Sequence, residues 1–287
     1  MSRCAVLVGL AIIASSPVAA EPCGIGTACT IPGGEYFVAL PEGLRKGAVL
    51  FLHGWGGSAM AEIDNVRVVG PLLARGYVVV APVGLPYSVS EPITNWNAEE
   101  DPALRDDVVF LDAVLDDAAV RFDFPRDRVV ASGFSLGGMM IWRLACDAPL
   151  DYAAFAPVSG TLWEPLPETC TAPVRLLHFH GWADKMVPLE GRPIEGTPLV
   201  QGDVFAALAL ARRSSDCTSE AIYEKEGAWD VRSWIHCASG SGIGIAIHPG
   251  GHKVPNGWAE FALDWFEGKA PSAATACLGM GDAGGKC

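Results

Sequence analysis

Short apolar runs alternate along the chain with longer segments in which apolar residues recur at helical spacing. The runs predict strands at residues 33–40, 47–52, 77–81, 129–132, 152–158, 174–180, 229–236 and 243–248. The longer segments predict helices at residues 65–75, 106–119, 204–212 and 257–266, with another helix after residue 137. Continuous apolar strands suit a parallel sheet covered on both faces, and their alternation with helices indicates βαβ units. We therefore predict an α/β fold with a mainly parallel sheet, in which residues 33–40 form an edge strand.

The turn after the fourth predicted strand has the pattern of a nucleophile elbow. Gly133, Ser135 and Gly137 form a Gly-x-Ser-x-Gly sequence between a strand and a helix. In such a turn the serine is strained and raised above the sheet, and the glycines let strand and helix approach closely. An ordinary glycine- and serine-rich loop is the alternative. The flanking strand and helix favour Ser135 as a nucleophile.

A serine nucleophile needs a base and an acid, and the chain offers one of each after a predicted strand. His252 follows two glycines beyond the strand at residues 243–248, which leaves its imidazole free to reach the elbow. Asp184 lies just past the strand at residues 174–180, where open α/β sheets place site residues. The order Ser135, Asp184, His252 is that of an α/β-hydrolase. We expect these three residues to form a catalytic triad.

The other histidines are expected to have structural roles. His53 lies at the base of a glycine turn, where a structural hydrogen bond is favoured. His178 and His180 lie two residues apart on one strand, which could suit a metal, but histidines capped by backbone groups are the favoured interpretation. The sequence contains no Cys-x-x-Cys pair. We predict no metal site, and the expected chemistry needs no cofactor.

Residues 53–58 read His-Gly-Trp-Gly-Gly-Ser and directly follow a buried strand. Glycines at such a position let backbone N–H groups point into a cleft, as an oxyanion hole requires. An ordinary strand-to-helix turn is the alternative. The expected donors are the backbone N–H groups of Trp55 and of Leu136, the residue after the nucleophile.

The first 20 residues have the pattern of a secretory signal peptide, with Arg3, an apolar segment at residues 4–14 and small residues before position 21. The apolar segment is too short to span a bilayer. Residues 21–287 are predicted to form a single catalytic domain, with residues 269–287 as a C-terminal extension. We expect a secreted protein, extracellular or periplasmic.

Charge and cysteine content agree with export. A net charge of −13 disfavours binding to nucleic acid and to anionic membranes. Eight of the nine cysteines follow the signal peptide, an even number that suits disulfides in an oxidising compartment. Eight cysteines allow 105 pairings, so spacing fixes none. Neighbouring positions suggest Cys23–Cys29, Cys146–Cys170, Cys217–Cys237 and Cys277–Cys287.

These segments together resemble the secreted polyhydroxybutyrate-depolymerase-type esterases. These esterases are related to the family-1 carbohydrate esterases, which include feruloyl and acetylxylan esterases. The similar segments are Cys23 with Cys29 and residues 33–36, 52–59, 133–138, 178–184 and 250–252. The resemblance implies an α/β-hydrolase esterase with Ser135, Asp184 and His252 as the triad. It also implies that Cys217–Cys237 lies near the histidine loop.

Four tryptophans are candidate substrate-binding residues. Trp55 and Trp182 stand where members of the family often have smaller residues, and two indoles there would narrow the pocket. Trp96 and Trp163 could join them as an aromatic platform. The alternative is that these tryptophans pack in the core or in loops.

The expected activity is that of a serine carboxylester hydrolase acting on hydroxyalkanoate esters or oligomers of the polyhydroxybutyrate type. A feruloyl or acetylxylan esterase acting on plant polysaccharide is the alternative. A peptidase or acyltransferase on the same fold, and a binding protein that has lost catalysis, are less favoured hypotheses.

Overall fold

A computed structural model of the chain describes residues 23–24, 26–86, 93–218, 220–238 and 240–268. The predicted signal peptide, the C-terminal extension and the pair Cys277–Cys287 lie outside these residues. Among the described residues, no helix is both long enough and apolar enough to cross a bilayer.

The strands are β1 (Cys29–Ile31), β2 (Gly34–Ala39), β3 (Gly47–Leu52), β4 (Tyr77–Pro82), β5 (Leu85–Pro86), β6 (Thr94–Asn95), β7 (Val129–Phe134), β8 (Ala154–Val158), β9 (Arg175–Gly181), β10 (Arg192–Pro193), β11 (Val200–Gln201), β12 (Ile222–Glu226), β13 (Trp229–Trp234) and β14 (Gly242–His248). The α-helices are α1 (Ala59–Ile63), α2 (Val66–Ala74), α3 (Asp107–Phe122), α4 (Leu136–Asp147), α5 (Val204–Ser214) and α6 (Trp258–Glu267). Aspartates cap two of the helices, since Asp106 accepts hydrogen bonds from the first turn of α3 and Asp203 from that of α5.

Ten strands form one sheet in the order β1-β2-β4-β3-β7-β8-β9-β14-β13-β12. The six strands at the centre of this order, β4-β3-β7-β8-β9-β14, are parallel to their neighbours. On one side β1 and β2, and on the other side β13 and β12, are joined to the sheet by antiparallel pairing. Strands β3 and β4 are buried along their whole length, because helices cover both faces of the sheet. Helices α1, α2 and α6 pack on one face, and α3, α4 and α5 on the other. The predicted α/β fold with a mainly parallel sheet is confirmed.

The edges of the sheet differ from the prediction. The strand expected at residues 33–40 is β2, but it is not an edge, because β1 pairs with it antiparallel from outside. Strand β1 has three residues and is too short to stand out as an apolar run. At the other side, β12 is a predominantly exposed strand that pairs with β13. It lacks the apolar runs that predict the long strands of the sheet.

Three disulfides join Cys23 to Cys29, Cys146 to Cys170 and Cys217 to Cys237. The second ties the end of the helix after the elbow to the segment that precedes β9. The expectation that the third lies near the histidine loop is wrong. Cys237 follows the end of β13, which pairs with the start of β14. The histidine loop follows the other end of β14, about 20 Å away at the usual rise per strand residue.

Candidate active site

The elbow places Ser135 between β7 and α4 in a strained backbone conformation. Its φ of 57° and ψ of −120° lie in a region that residues with a side chain rarely adopt. The turn is held by a hydrogen bond of 2.9 Å from the N–H of Ser135 to the carbonyl oxygen of Val158 on β8. The serine is therefore fixed at the carboxyl end of the central strands.

Two glycines make this turn possible. A Cβ on Gly133 would lie 2.8 Å from the backbone of Gly137, and one on Gly137 would lie 2.3 Å from the carbonyl oxygen of Leu52. Both distances are shorter than contacts that real Cβ atoms make, so β3, β7 and α4 approach this closely only without side chains here. The glycines of the motif thus have the packing role that the sequence predicts.

Ser135, His252 and Asp184 are connected by two hydrogen bonds. His252 Nε2 lies 2.9 Å from Ser135 Oγ, and His252 Nδ1 lies 2.7 Å from Asp184 Oδ2. A carboxylate oxygen can only accept, so Nδ1 of His252 carries the hydrogen. In the neutral imidazole, Nε2 then accepts from the serine hydroxyl. The Phe134 ring packs against this imidazole with centroids 4.7 Å apart.

Asp184 is buried, and each of its carboxylate oxygens has a separate role. Oδ1 accepts hydrogen bonds of 2.9 Å from the backbone N–H groups of Met186 and Val187, while Oδ2 accepts from His252. Burial by itself would raise the pKa of this carboxyl group. The hydrogen bonds from His252 and Val187 and the nearby rings of His252 and His180 outweigh burial and hold the pKa below its ordinary value. Asp184 therefore remains a carboxylate.

The loops that hold Asp184 and His252 are fastened to each other through the backbone. The N–H of Trp182 donates to the carbonyl of His248 at 2.8 Å, and the N–H of Ala183 donates to that of Gly250 at 3.0 Å. A Cβ on Gly181 would lie 2.4 Å from the carbonyl oxygen of Gly251. The bare backbone of Gly181 lets the two loops lie in contact.

The glycine turn after β3 lies against the nucleophile. A Cβ on Gly54 would be 3.3 Å from Cβ of Ser135. Trp55 is the next residue after Gly54, so its N–H group belongs to the part of the turn that lies against the serine. A hydrogen bond of 3.0 Å from the N–H of Gly56 to the carbonyl of Thr94 holds the turn. The N–H groups of Trp55 and Leu136 donate to no other described residue. Both predicted oxyanion donors are thus available.

Trp96 does not face a substrate. It is fully buried, its indole N–H donates to the carbonyl of His53 at 2.9 Å, and its ring packs on the imidazole of His53. The imidazole Nε2 of His53 in turn accepts from the N–H of Gly84 at 3.1 Å. The expectation that Trp96 belongs to the substrate platform is wrong, because the segment after β6 folds inward and supports the glycine turn.

The other three tryptophans differ in exposure and in position. Trp55 and Trp182 are 54% and 69% exposed and lie on the glycine turn and on the acid loop. Trp163 is half-buried and lines a separate cavity of about 250 Å³. The described residues that line this cavity do not include Ser135, Asp184 or His252. The place of Trp163 in the substrate platform therefore stays a prediction.

A chain of buried hydrogen bonds behind Asp184 escaped the sequence analysis. His178 Nε2 lies 2.8 Å from His180 Nδ1, and His180 Nε2 lies 2.8 Å from the carbonyl oxygen of Val187. The indole N–H of Trp142, on α4, lies 3.3 Å from His178 Nδ1. The only signal in the sequence is the spacing of the two histidines, which puts both on one face of β9.

The groups at the two ends of this series of hydrogen bonds determine which ring nitrogens of the histidines carry hydrogen. The Val187 carbonyl can only accept and the Trp142 indole can only donate, so each histidine is neutral with its hydrogen on Nε2. Burial lowers the pKa of both imidazoles, and for His178 the neighbouring His180 adds to the effect, although the Pro157 carbonyl opposes it. These hydrogen bonds thus link α4, the helix that follows Ser135, to the loop that contains Asp184.

Comparisons with known proteins agree with this architecture. Residues 47–197 match the family described as the alpha/beta hydrolase fold. NocK of Nocardia uniformis subsp. tsuyamanensis, whose name describes it as an esterase, is 30% identical over 244 residues, which are 76% of this chain and 68% of that protein. Feruloyl esterase C of Emericella nidulans is 29% identical over 170 residues, 56% of this chain and 58% of that enzyme.

The solved structures give the same fold. The acetyl xylan esterase from Aspergillus awamori superposes with a TM-score of 0.58 at 14% identity, over 82% of this chain and 94% of that one. The chain therefore belongs to the α/β-hydrolase fold family, and it is a carboxylic ester hydrolase of that family.

Proposed function

We propose that the protein hydrolyses esters with a catalytic triad of Ser135, His252 and Asp184. The observation that supports this most directly is the unbroken hydrogen-bond chain from Ser135 Oγ through the imidazole to Asp184, at 2.9 and 2.7 Å. A serine hydroxyl is a weak nucleophile until a base within hydrogen-bond reach removes its proton. His252 is in position to be that base.

In the proposed reaction, Ser135 Oγ attacks the ester carbonyl while His252 Nε2 takes the hydroxyl proton. The imidazolium is stabilised by the buried carboxylate of Asp184. Collapse of the tetrahedral intermediate breaks the bond to the alcohol, and His252 returns the proton to the departing oxygen. Water then attacks the acyl-serine with His252 again as base, which releases the acid and restores the serine.

We further propose the N–H groups of Trp55 and Leu136 as the oxyanion hole. Both groups are free of other described acceptors, and the two residues adjoin Gly54 and Ser135, which are in close contact. Donors fixed in advance of the reaction stabilise the charge that develops on the carbonyl oxygen without having to reorganise. The exposed indoles of Trp55 and Trp182 are the proposed contacts for the acyl group.

For the substrate, we propose esters borne on plant polysaccharide, as in feruloyl or acetylxylan esterases. The names of the relatives support this class, since they include feruloyl esterase C and a bifunctional acetylxylan esterase/xylanase from Neocallimastix patriciarum. None of the named relatives points to hydroxyalkanoate esters, the class that the sequence resemblance favours. A panel of methyl ferulate, acetylated xylan and hydroxybutyrate oligomers separates the two classes by their kcat/KM values.

We also propose that the protein is exported to the periplasm or the medium. Its disulfides suit an oxidising compartment. Detection of the chain, cleaved before residue 21, in a periplasmic or culture fraction tests this proposal. Detection of the uncleaved chain in the cytoplasm alone contradicts it.

A fluorophosphonate probe tests the triad. Its phosphorus bonds to an activated serine oxygen with loss of fluoride, and we expect labelling of the wild type that is absent in Ser135→Ala and strongly reduced in His252→Ala. Ser132→Ala is the matched control, because Ser132 is a buried serine on β7 whose hydroxyl donates to the Ala156 carbonyl at 2.6 Å. Labelling or ester turnover retained by Ser135→Ala overturns the assignment.

The other hypotheses predict different results. A binding protein without catalysis predicts no labelling of Ser135 at all. An acyltransferase predicts that an added alcohol diverts the acyl group from water, and a peptidase predicts cleavage of peptides at rates comparable with those of esters.

A further inference from the structure

We propose that a cavity beside His252 holds the alcohol part of the ester, and that Glu62 and Arg67 in it select alcohols that carry further hydroxyl groups. This proposal rests on the proposed esterase function. The cavity has a volume of about 320 Å³, at the lower end of the range of small-molecule sites, about 300–1,000 Å³.

The position of the cavity identifies the part of the substrate that it receives. Its lining includes His252 and Phe134, the last residue of β7, together with the segment that follows His252. His252 returns its proton to the departing alcohol oxygen, so the alcohol must lie against this imidazole. The described lining does not include Trp55 or Trp182, the proposed contacts for the acyl group.

Glu62 and Arg67 line the same cavity without pairing with each other. Neither side chain forms a hydrogen bond or an ion pair with any described residue, which means that their charged atoms are more than 4.0 Å apart. Glu62 is partly buried at the end of α1, and burial raises the pKa of its carboxyl group from 4.5 to about 7. An unpaired acid that loses water contacts in a cavity beside a catalytic base is typical of a ligand site.

The remaining lining shows which ligand fits. Asn65 and Asn256 add amide donors and acceptors, whereas Val254 and Pro255 form an apolar wall with Phe134. A carboxyl oxygen accepts a hydrogen bond from a hydroxyl group, a guanidinium group donates one to it, and a side-chain amide can do either. Polar groups on one side and an apolar wall on the other fit a sugar-like ring, which has hydroxyl groups at its edge and C–H groups on its faces. A simple alkyl alcohol would leave the polar groups without partners.

Esters that share an acyl group and differ in the alcohol test this assignment. We compare ethyl acetate with the monoacetate of methyl β-xyloside in the wild type, in Glu62→Gln and in Arg67→Gln. Loss of one hydrogen bond to a charged group lowers kcat/KM for the xyloside ester by about tenfold or more. The ratio of kcat/KM for the xyloside ester to kcat/KM for ethyl acetate is therefore expected to fall by about tenfold or more. Asp64→Asn is the matched control, because Asp64 is an exposed acid that caps the same helix outside the cavity.

Binding of methyl β-xyloside to Ser135→Ala, followed by saturation-transfer NMR, gives a readout that does not depend on turnover. Binding that is weakened by adding Glu62→Gln, but not by adding Asp64→Asn, supports the cavity. Equal effects of Glu62→Gln on both esters, or no effect on either, overturn the subsite and leave the triad standing. A wild type that neither hydrolyses the esters nor reacts with the fluorophosphonate probe overturns the function itself.

Discussion

The imidazole of His180 lies 3.6 Å from Asp184 Oδ2, the carboxylate oxygen that also accepts the hydrogen bond from His252. His180 also donates to the Val187 carbonyl, on the loop whose N–H groups bond the other oxygen of Asp184. One buried side chain therefore contacts the acid and supports the loop that orients it. Through His178 and Trp142 this support reaches the helix that follows Ser135.

We predict that His180→Phe lowers kcat by about tenfold or more, as loss of a group that orients a reacting side chain does. Phenylalanine cannot donate to Val187 or accept from His178, so two buried polar groups lose their partners and the acid loop is released. His180→Gln retains a donor and an acceptor and is expected to recover part of the activity. The measurement is kcat for a short p-nitrophenyl ester, with the thermal midpoint recorded in parallel.

The exposed His236 provides the control, and His236→Phe is expected to leave kcat unchanged. A purely structural role of His180 would lower the thermal midpoint of His180→Phe and leave kcat of the folded enzyme at the wild-type value. That result would show that Asp184 keeps its orientation without His180.

Asp184→Asn is predicted to abolish most activity while leaving the fold intact. The N–H groups of Met186 and Val187 both point at Oδ1, so the amide oxygen of asparagine takes that place and its NH₂ group faces His252. The imidazole then has to accept on Nδ1, which moves its hydrogen to Nε2 and prevents it from taking the serine proton. The comparable change in a serine protease lowers kcat by about 10⁴. A loss of less than tenfold in steady-state kcat would mean that Asp184 is not the acid of the triad.

The parts of this site that the sequence predicts are those set by local structure. Gly133, Ser135 and Gly137 need only a strand, a tight turn and a helix, and Asp184 and His252 each follow a strand of a parallel sheet. Such sheets bring the carboxyl ends of their strands to one edge, so the three side chains are expected to meet.

Long-range packing decides the parts that could not be predicted. Trp96 follows a proline-rich stretch whose path the local pattern does not fix, and only the folded chain shows that it supports His53. The hydrogen bonds that connect Trp142, His178 and His180 join residues of two different elements, and spacing along one strand does not reveal the partner on α4. Glu62 has the pattern of an ordinary surface acid of a short helix, and only the folded chain shows that it shares a cavity with the segment after His252.

Gly181→Ala is predicted to separate the acid and histidine loops. The new methyl group would lie 2.4 Å from the carbonyl oxygen of Gly251 and 2.5 Å from that of Gly250, and the backbone must move to make room for it. Since a displacement of about 1 Å in a catalytic group can cost about 10²-fold, we expect kcat to fall by at least an order of magnitude. Kinetics with the same p-nitrophenyl ester, together with far-UV circular dichroism, separates this effect from unfolding.

Gly70→Ala is the matched control for a glycine substitution. Gly70 lies within α2 and a Cβ there would meet nothing within 4 Å. Alanine is the better helix former by about 1 kcal/mol, so this variant should be more stable than the wild type and equally active. Wild-type activity in Gly181→Ala would show that the two loops adapt to the methyl group.

The pKa of Glu62 makes stability depend on pH in a defined direction. The unfolded chain releases this proton near pH 4.5, whereas the folded chain keeps it until about pH 7. Between these values the folded state binds more protons, so this group lowers the free energy of unfolding as the pH rises. Glu62→Gln removes the effect and should be more stable than the wild type by about 1–3 kcal/mol at pH 8. Urea unfolding at pH 8 and pH 4 measures this difference, which should nearly vanish at pH 4 because Glu62 is protonated in both states. A stability difference for Glu62→Gln that is the same at both pH values would contradict the desolvation of Glu62.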